Sequence, residues 1–312
     1  MSRILLTGSS GFIGQSVLAS GTIEASYLLD LKDETLVLYS TQQKKEIQRF
    51  AIGEIISSLP HDVTQIIHLG AITSTYYSNK NNLNYLNVVT TNALVNISCQ
   101  KGIKIVFASS ASVYGHSNQM SENLVPSRPS NLYAQSKWES EQYISSFCKC
   151  KVPHITILRL FNIYGKLEAN KGNMSSLVWQ FISRTIQREA IVIFLKDGLL
   201  PGSQSRDFVF IDDVVRFLSI LSKEDESYGI LNFGTGVSHK FSEIIDLISA
   251  TVGDVRVETL MKPPEFYENY QWYTRSDNSR FATLFPNFKF TPLQSGMSHV
   301  SEFFRGNADV SN

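Results

Sequence analysis

Tyr133 and Lys137 stand four residues apart in the stretch SNLYAQSKWESEQ, residues 130–142. On a helix this spacing places two side chains one above the other on a single face. A phenol beside an ammonium can move a proton: a free phenol, with a pKa of about 10, is a poor base at neutral pH, and a neighbouring cation favours its phenolate. Spacing alone does not decide the matter, because Tyr76 and Lys80 repeat it and a solvated surface would hold such a pair by accident. Position separates the two. Ser109 and Ser110 end the apolar run IKIVFASS (103–110) ahead of Tyr133, so a strand-terminal hydroxyl can converge with the Tyr–Lys pair of the next helix on one substrate oxygen. Tyr76 and Lys80 lie in a polar loop without such a strand and read as the chance pair.

A second constellation opens the chain. TGSSGFIG (7–14) sets Gly8, Gly11 and Gly14 between a strand and a helix. Glycines there let the backbone approach a pyrophosphate, and the helix start offers unpaired N–H groups to its charge. A tight turn would need glycine in any case, but the position directly after a first strand favours nucleotide binding. For the adenosine ribose, Asp30 stands at a tolerable distance. TLVLYST (35–41), however, reads as the second strand, and its end carries Ser40 and Thr41 followed by Gln42, Gln43, Lys44 and Lys45. No carboxylate sits there to repel a 2′-phosphate. This predicts Ser40 and Thr41 at the ribose and NADP as the preferred dinucleotide, with NAD the alternative.

These groups need a scaffold, and the first half of the chain supplies one. Short β-rich runs alternate with helical patterns, the mark of a parallel sheet covered on both faces. Strands are expected at 4–7, 35–41, 46–52, 65–71 and 103–110, and 155–165 reads as a strand running into a turn, with helices over about 12–19, over roughly 85–99, and from Tyr133 onward. Residues 166–205 are punctuated by glycine around one long helix, and 236–312 mix helix, aromatics and prolines. The expected architecture is an α/β, doubly wound parallel sheet (1–165 plus about 206–235) with a smaller substrate lobe (about 166–205 plus 236–312), ligands binding at the carboxyl ends of the strands.

Composition bounds the function classes. Apolar residues make up 43% and charged residues 18%, and 28 Lys plus Arg balance 28 Asp plus Glu. No net field attracts nucleic acid or a membrane, so any anion site must be local. The N-terminus runs straight into a strand without a leader pattern, and no apolar run could span a bilayer. Three cysteines argue against a disulfide framework. Cys148 and Cys150 could form half a metal site, but no partner pair lies at ligand spacing, so helix-end packing is the reading and no metal is expected. The chain reads as a cytoplasmic soluble protein.

Taken together, TGSSGFIG, HLGA, ASSASVYG, Tyr133 with Lys137, RLFNIYG, RDFVFIDDV and NFGTG follow one another in an order that resembles the extended short-chain dehydrogenase/reductases which modify nucleotide-activated sugars. The resemblance covers nearly the whole chain. It implies a Rossmann-type fold, a catalytic triad of Ser110, Tyr133 and Lys137, and a tightly held NADP or NAD. The cofactor would meet Gly8, Gly11, Phe12, Ile13, Gly14, Leu69, Gly70, Ala71, Asn87 and Lys137. Asn162 and Arg206 would approach a nucleotide diphosphate. Within the family, EANKGNMSSLVWQF (168–181) and YQWYT (270–274) are most similar to the ADP-heptose 6-epimerase branch. That implies an additional catalytic lysine, here Lys171, with Met174 and Tyr270 on the substrate. The plainer alternative leaves Lys171 a phosphate contact in a surface loop. One departure is Asn269, where the resembling enzymes favour a basic residue.

The resemblance implies a homo-oligomeric epimerase that oxidises a nucleotide-sugar transiently and returns the hydride to the opposite face. A 4-epimerase or a 4-keto-sugar reductase is the alternative. A dehydratase would need an Asp–Glu pair after the catalytic serine, where this chain has Ala111 and Ser112. A dinucleotide-binding protein without turnover would lack Tyr133 or Lys137.

Overall fold

The computed structural model describes residues 2–32, 35–74, 79–124, 129–148, 154–196, 198–263, 266 and 270–308. Tyr76, Asn269, Cys150 and the side chain of Cys148 lie outside the described residues, so the expectations that rest on them are not addressed. The chain divides into two compact units, one made of 1–113, 131–159 and 215–231, the other of 114–130, 160–214 and 232–312.

The first unit is organised around Ile4–Thr7 (β1), four successive buried residues. Ala25–Lys32 (β2) pairs with it in parallel on one side, Leu6 opposite Leu28 and Thr7 opposite Leu29. Thr35–Ser40 (β3) and Lys45–Phe50 (β4) follow, and Gln65–His68 (β5) pairs with β1 in parallel on the other side. Lys104–Ser110 (β6), parallel to β5, and Ile155–Leu160 (β7) continue the sheet. With Gly229–Phe233 at one edge, the eight strands run 229–233, β7, β6, β5, β1, β2, β3, β4. This is a Rossmann-type sheet, and the strand order reverses between β1 and β5, which makes their carboxyl ends the crevice for ligands. Leu5, Ile66, Ile105 and Phe107 from the strands pack against Leu94, Val95 and Ile97 of helix Thr90–Lys101 and Ile144 of helix Leu132–Cys148. The helix expected near 85–99 runs from Lys80, with a π-helical stretch over Asn84–Val89.

Two strand readings are corrected. The second strand is β2, not 35–41. β3 turns back antiparallel, pairing Thr35 with Lys32 and Ser40 with Tyr27, and β4 pairs antiparallel with β3. The sequence misled because the exposed end of β2 carries Asp30 and Lys32, which look like a polar lead-in. The half-buried β3 shows the clean alternation of an antiparallel strand, Leu36, Leu38 and Ser40 inward. Ser40 and Thr41 therefore lie at the amino end of β2. The Thr41 hydroxyl donates to Ala25 O at 2.7 Å and its N–H to Ser26 O at 3.1 Å, away from the ligand edge, so neither lines a ribose site. The second correction concerns the expected turn at the end of 155–165, which is a separate strand. β7 stops at Leu160, and Asn162–Tyr164 belongs to the second unit, paired in parallel with Phe208–Phe210.

In that second unit, two of the quoted motifs meet at Asp207. Its buried carboxylate accepts from Thr235 N and Oγ1, Gly236 N and Ser276 N, tying RDFVFIDDV to the NFGTG turn. Phe233, Phe281, Phe288 and Phe290 cluster beside it with ring centroids 5.1–5.9 Å apart. Among the described residues no helix is long and apolar enough to cross a membrane.

His68 shows what the buried edge of β5 demands. Its Nδ1 lies 2.6 Å from Thr7 Oγ1 and its Nε2 2.9 Å from Thr91 Oγ1. Burial first, and the charge of Lys137 second, push the imidazole down to about 3. Because its folded value lies below its unfolded value near 6.5, the unfolded chain takes up a proton that the folded imidazole refuses. Stability is lost as pH falls from about 6.5 toward 3. Urea unfolding at pH 5 should show about 2 kcal/mol of such loss from this group relative to pH 7. His68→Gln should flatten that slope; an equally steep loss in the variant would refute the assignment.

Candidate active site

The catalytic candidates are built by one strand and the helix that covers it. Helix Leu132–Cys148 starts where Asn131 Oδ1 accepts the N–H of Ala134 at 2.9 Å. Tyr133 then falls in its first turn and Lys137 in its second, above the end of β6. The Ser110 hydroxyl oxygen accepts from Ser112 N at 3.1 Å and from Ser112 Oγ at 2.9 Å. With its lone pairs so engaged, Ser110 has its own proton left to give to the Tyr133 phenol. Burial pushes the Tyr133 phenol above its ordinary value, and the Ser110 hydrogen bond works against that rise.

Lys137 is almost wholly buried. Its Nζ donates to Ala108 O at 2.7 Å and lies 4.7 Å from the centroid of the Phe107 ring. Burial pulls it down to about 7, with the Glu141 carboxylate acting in the opposite sense. The sequence expectation of an ammonium aimed at the phenol needs correcting, since the lysine is tied to a backbone carbonyl and Ser110 is the group that favours the phenolate. Ser110 bonds Tyr133, and Lys137 bonds the strand two residues before Ser110, so all three lie where the end of β6 meets the helix. They amount to a proton-transfer set: a phenol, a hydroxyl that stabilises its anion, and a lysine near its neutral point.

The glycine turn beside β1 is shaped for close backbone approach. Gly8 has φ +68°, and a Cβ there would stand 2.6 Å from Gly70 N; a Cβ on Gly14 would stand 2.2 Å from Gly8 O. Gly11 is the N-cap of helix Phe12–Ser20 and makes no side-chain cap hydrogen bond, and Phe12 and Ile13 open the helix. A helix start after a glycine turn is the kind of place where backbone N–H groups meet a phosphate. Leu69, Gly70 and Ala71 follow β5 on the other flank, with Gly70 N bonded to Thr7 Oγ1 at 3.0 Å. Asn87 is buried and fully engaged: it accepts from Ile72 N and donates to Ile72 O and Ser136 Oγ. It thus ties this flank to the catalytic helix from behind. Asp30, set aside in the sequence reading, is the carboxylate at the carboxyl end of β2. Its Oδ2 accepts from Ser10 N at 2.6 Å and Ser9 Oγ at 3.2 Å. A cradle closed to a Cβ at Gly8 and Gly14, a glycine-capped helix start and a strand-terminal carboxylate fit a dinucleotide: glycine turn for pyrophosphate, Asp30 for ribose hydroxyls.

The second unit holds the remaining candidates. The Arg206 guanidinium is buried between the rings of Tyr270, 5.4 Å away, and Phe241, 5.6 Å away, and burial lowers its pKa. Tyr270 stacks on Phe266 at 5.2 Å, and Lys262 lies 5.2 Å from the Phe194 ring. An aromatic cluster rimmed by cations results. Asn162 donates to Asp207 O at 2.9 Å and to Thr274 Oγ1 at 2.8 Å. Lys171 and Met174 lie on the short helical run Ala169–Met174, which kinks at Gly172. Lys171 Nζ is 3.0 Å from the wholly buried Glu168, whose carboxylate also accepts from Gly165 N, Ser176 N and Ser176 Oγ. Sequence reasoning passed over Asp30, Ser112, Glu141, Arg159 and Glu168. Glu141 had a legible signal, since it continues the four-residue spacing of Tyr133 and Lys137 by one more turn.

Residues 4–234 match the model of the NAD dependent epimerase/dehydratase family. The chain belongs to that family, and is an NAD-dependent enzyme of the epimerase type. Among curated proteins it is 28% identical to the ADP-L-glycero-D-manno-heptose-6-epimerase of Alkalilimnicola ehrlichii, with 94% of this chain and 95% of the relative covered. It is likewise 28% identical to the enzyme of that name from Brachyspira hyodysenteriae, with 96% of each covered. Among solved structures it is similar to the UDP-N-acetylglucosamine 4-epimerase of Methanobrevibacter ruminantium, with a TM-score of 0.79 at 21% identity over 98% of this chain and 99% of that one. It is similar also to the Helicobacter pylori ADP-L-glycero-D-manno-heptose-6-epimerase, with a TM-score of 0.75 at 22% identity over 97% and 96%.

Tyr133→Phe keeps the ring and removes the proton-transfer group. Turnover should fall by at least about 10²–10⁴-fold, the range for a lost acid–base residue, with dinucleotide binding retained. Turnover near the wild-type rate would remove Tyr133 from the mechanism.

Proposed function

We propose that this enzyme epimerises a nucleotide-activated sugar, and that the sugar is an ADP-activated heptose inverted at its exocyclic C6. The observation that carries the epimerase reading is the Ser110–Tyr133–Lys137 set without an elimination acid beside it: Ala111 is buried and Ser112 is bonded to Ser110. NAD, held by the glycine turn and Asp30, would supply the hydride acceptor and donor. Tyr133 accepts the substrate hydroxyl proton as the carbonyl forms and returns it when the carbon is reduced from the other face. Ser110, which donates to the Tyr133 oxygen, steadies the phenolate, and Lys137 stands one turn further along the same helix. No atom is lost, so the product is an isomer.

The heptose reading is supported by two nearly full-length relatives of that name and by Lys171. Rotation about the bond to an exocyclic carbonyl moves its oxygen to a new place while the ring stays put. A second proton-transfer group there is then useful, and Lys171 is proposed for it, positioned by Glu168. The cationic aromatic cluster of Arg206, Tyr270, Phe266 and Lys262 suits an adenine stacked on a ring and a diphosphate neutralised by a guanidinium. Asn162 and Met174 are proposed as further substrate contacts, and a homo-oligomer as the working assembly.

For the dinucleotide, Asp30 at the carboxyl end of β2 favours NAD over NADP, because a carboxylate bonds the ribose hydroxyls and repels a 2′-phosphate. Fluorescence titration should give at least about tenfold tighter binding of NAD, roughly 1.4 kcal/mol, and Asp30→Asn should narrow the gap. Tighter binding of NADP to the wild type would overturn this.

The substrate reading is tested with ADP-glycero-manno-heptose and a panel of UDP-hexoses. Interconversion of the C6 epimers is expected, and conversion of a UDP-hexose at C4 alone would replace it with a 4-epimerase. Lys171→Met should lower kcat on the heptose by more than about tenfold while leaving ADP affinity little changed. If affinity collapses and kcat holds, Lys171 is a phosphate contact only.

A further inference from the structure

The carboxyl end of β6 meets three successive turns of helix Leu132–Cys148. Ser110 bonds Tyr133, Ala108 O accepts from Lys137, and Ser109 Oγ donates to Glu141 Oε1. Arg159 of β7 closes the far side: its Nη2 lies 2.6 Å from Glu141 Oε2 and its Nε 3.1 Å from Oε1. Glu141 is 0% and Arg159 1% exposed. Two cations, Lys137 and Arg159, therefore neighbour one carboxylate out of reach of water.

Stability does not account for this arrangement, since well-packed apolar residues in place of a buried ion pair are often as stable or more so. An ion pair supplies what an apolar pair does not, namely fixed direction and charge. Glu141 accepts from two different strands at once, so a slip of the helix by one residue along β6 would break the Ser109 bond and strand the Arg159 charge. The groups around Lys137 are Tyr133 and Glu141 on its own helix, Phe107 to Ser110 on β6, the neutral His68 on β5, and Arg159 on β7. Of these, Glu141 carries negative charge and favours the ammonium.

We propose that Glu141, clamped by Ser109 and Arg159, is a positioning residue for the catalytic set: it fixes the register of the helix on β6 and supplies the buried anion that faces Lys137. The proposal rests on the catalytic reading of Tyr133 and Lys137 but requires no particular sugar.

The test reads Lys137 directly. Full-length protein, saturated with NAD throughout, carries lysines labelled with carbon-13 at Cε, and the Lys137 signal is identified by its loss in Lys137→Met. Glu141→Gln removes the charge while keeping the shape, and should lower the Lys137 titration midpoint by at least about one pH unit relative to wild type. Glu141→Asp keeps the charge and should hold the midpoint to within about 0.3 unit. An unshifted midpoint in a folded Glu141→Gln protein overturns the proposal, whatever its activity. If Glu141→Gln does not fold, Arg159→Gln carries the test. Freed of its partner, the carboxylate should raise the midpoint, and a midpoint that stays or falls overturns the proposal. A shifted Lys137 in an enzyme that turns over no ADP-heptose would sink the substrate reading alone.

Discussion

A lysine ammonium buried between a strand and the helix that covers it is the group around which the first unit is arranged. Burial alone would strip Lys137 of its proton, and an unpaired charge in a dry interior is among the most costly features a fold can hold. The surroundings offset that cost in layers. The Ala108 carbonyl takes one N–H, the Phe107 ring lies beneath the charge, and the Glu141 carboxylate stands one turn away. Glu141 could not be left in the interior by itself either, so Arg159 and Ser109 complete it. His68, pressed against the same region, stays neutral between two threonine hydroxyls. The result is a lysine near its neutral point, one turn along the helix from a phenol whose rise on burial a serine hydrogen bond opposes.

That arrangement sits where the sheet can use it. β1, β2 and β6 run parallel in the sheet whose strand order reverses between β1 and β5, and each carboxyl end contributes something different. β1 ends in a turn that admits no Cβ at Gly8 or Gly14, β2 in a carboxylate held by the same turn, and β6 in two serines with separate duties. Ser110 bonds Tyr133 and Ser109 bonds Glu141, two turns apart on the helix that covers β6. Adjacent hydroxyls of the same type thus meet different partners, a phenol and a carboxylate. The second unit gathers a different chemistry, cations on aromatic faces around Arg206 and Tyr270 and a lysine leashed to a buried glutamate at Glu168.

Local pattern was enough to identify β1, the glycine turn, the helix that follows it, β5, β6 and the Tyr133–Lys137 face. Each of these is short in range: an apolar run of one period, a turn that needs glycine, a spacing that a helix converts directly into proximity. The order of those motifs carried the family as well. The strand 35–40 was also legible as a strand, but its place was not. Alternation reports that one face is buried, and it is silent on whether the partner runs parallel or antiparallel. Asp30 was lost with that reading, because a polar end on a true second strand and a polar lead-in to the next one look alike in a row of letters.

The remaining features were set by contacts between residues far apart in the chain. That Ser109 of one strand, Glu141 of a helix and Arg159 of the next strand share a dry cluster depends on which elements lie side by side, and no local spacing contains it. The same holds for Lys171, for which the resemblance implied a catalytic role and whose carboxylate neighbour is a buried glutamate fixed by Gly165 and Ser176. It holds also for Lys137, tied to Ala108 O rather than to the phenol one turn before it. Sequence determined which groups this protein has and which helical or strand face presents them. Tertiary structure decided their charge and their partners, because both depend on burial and on electrostatics over a few ångströms, and those distances exist only once the strands are laid side by side.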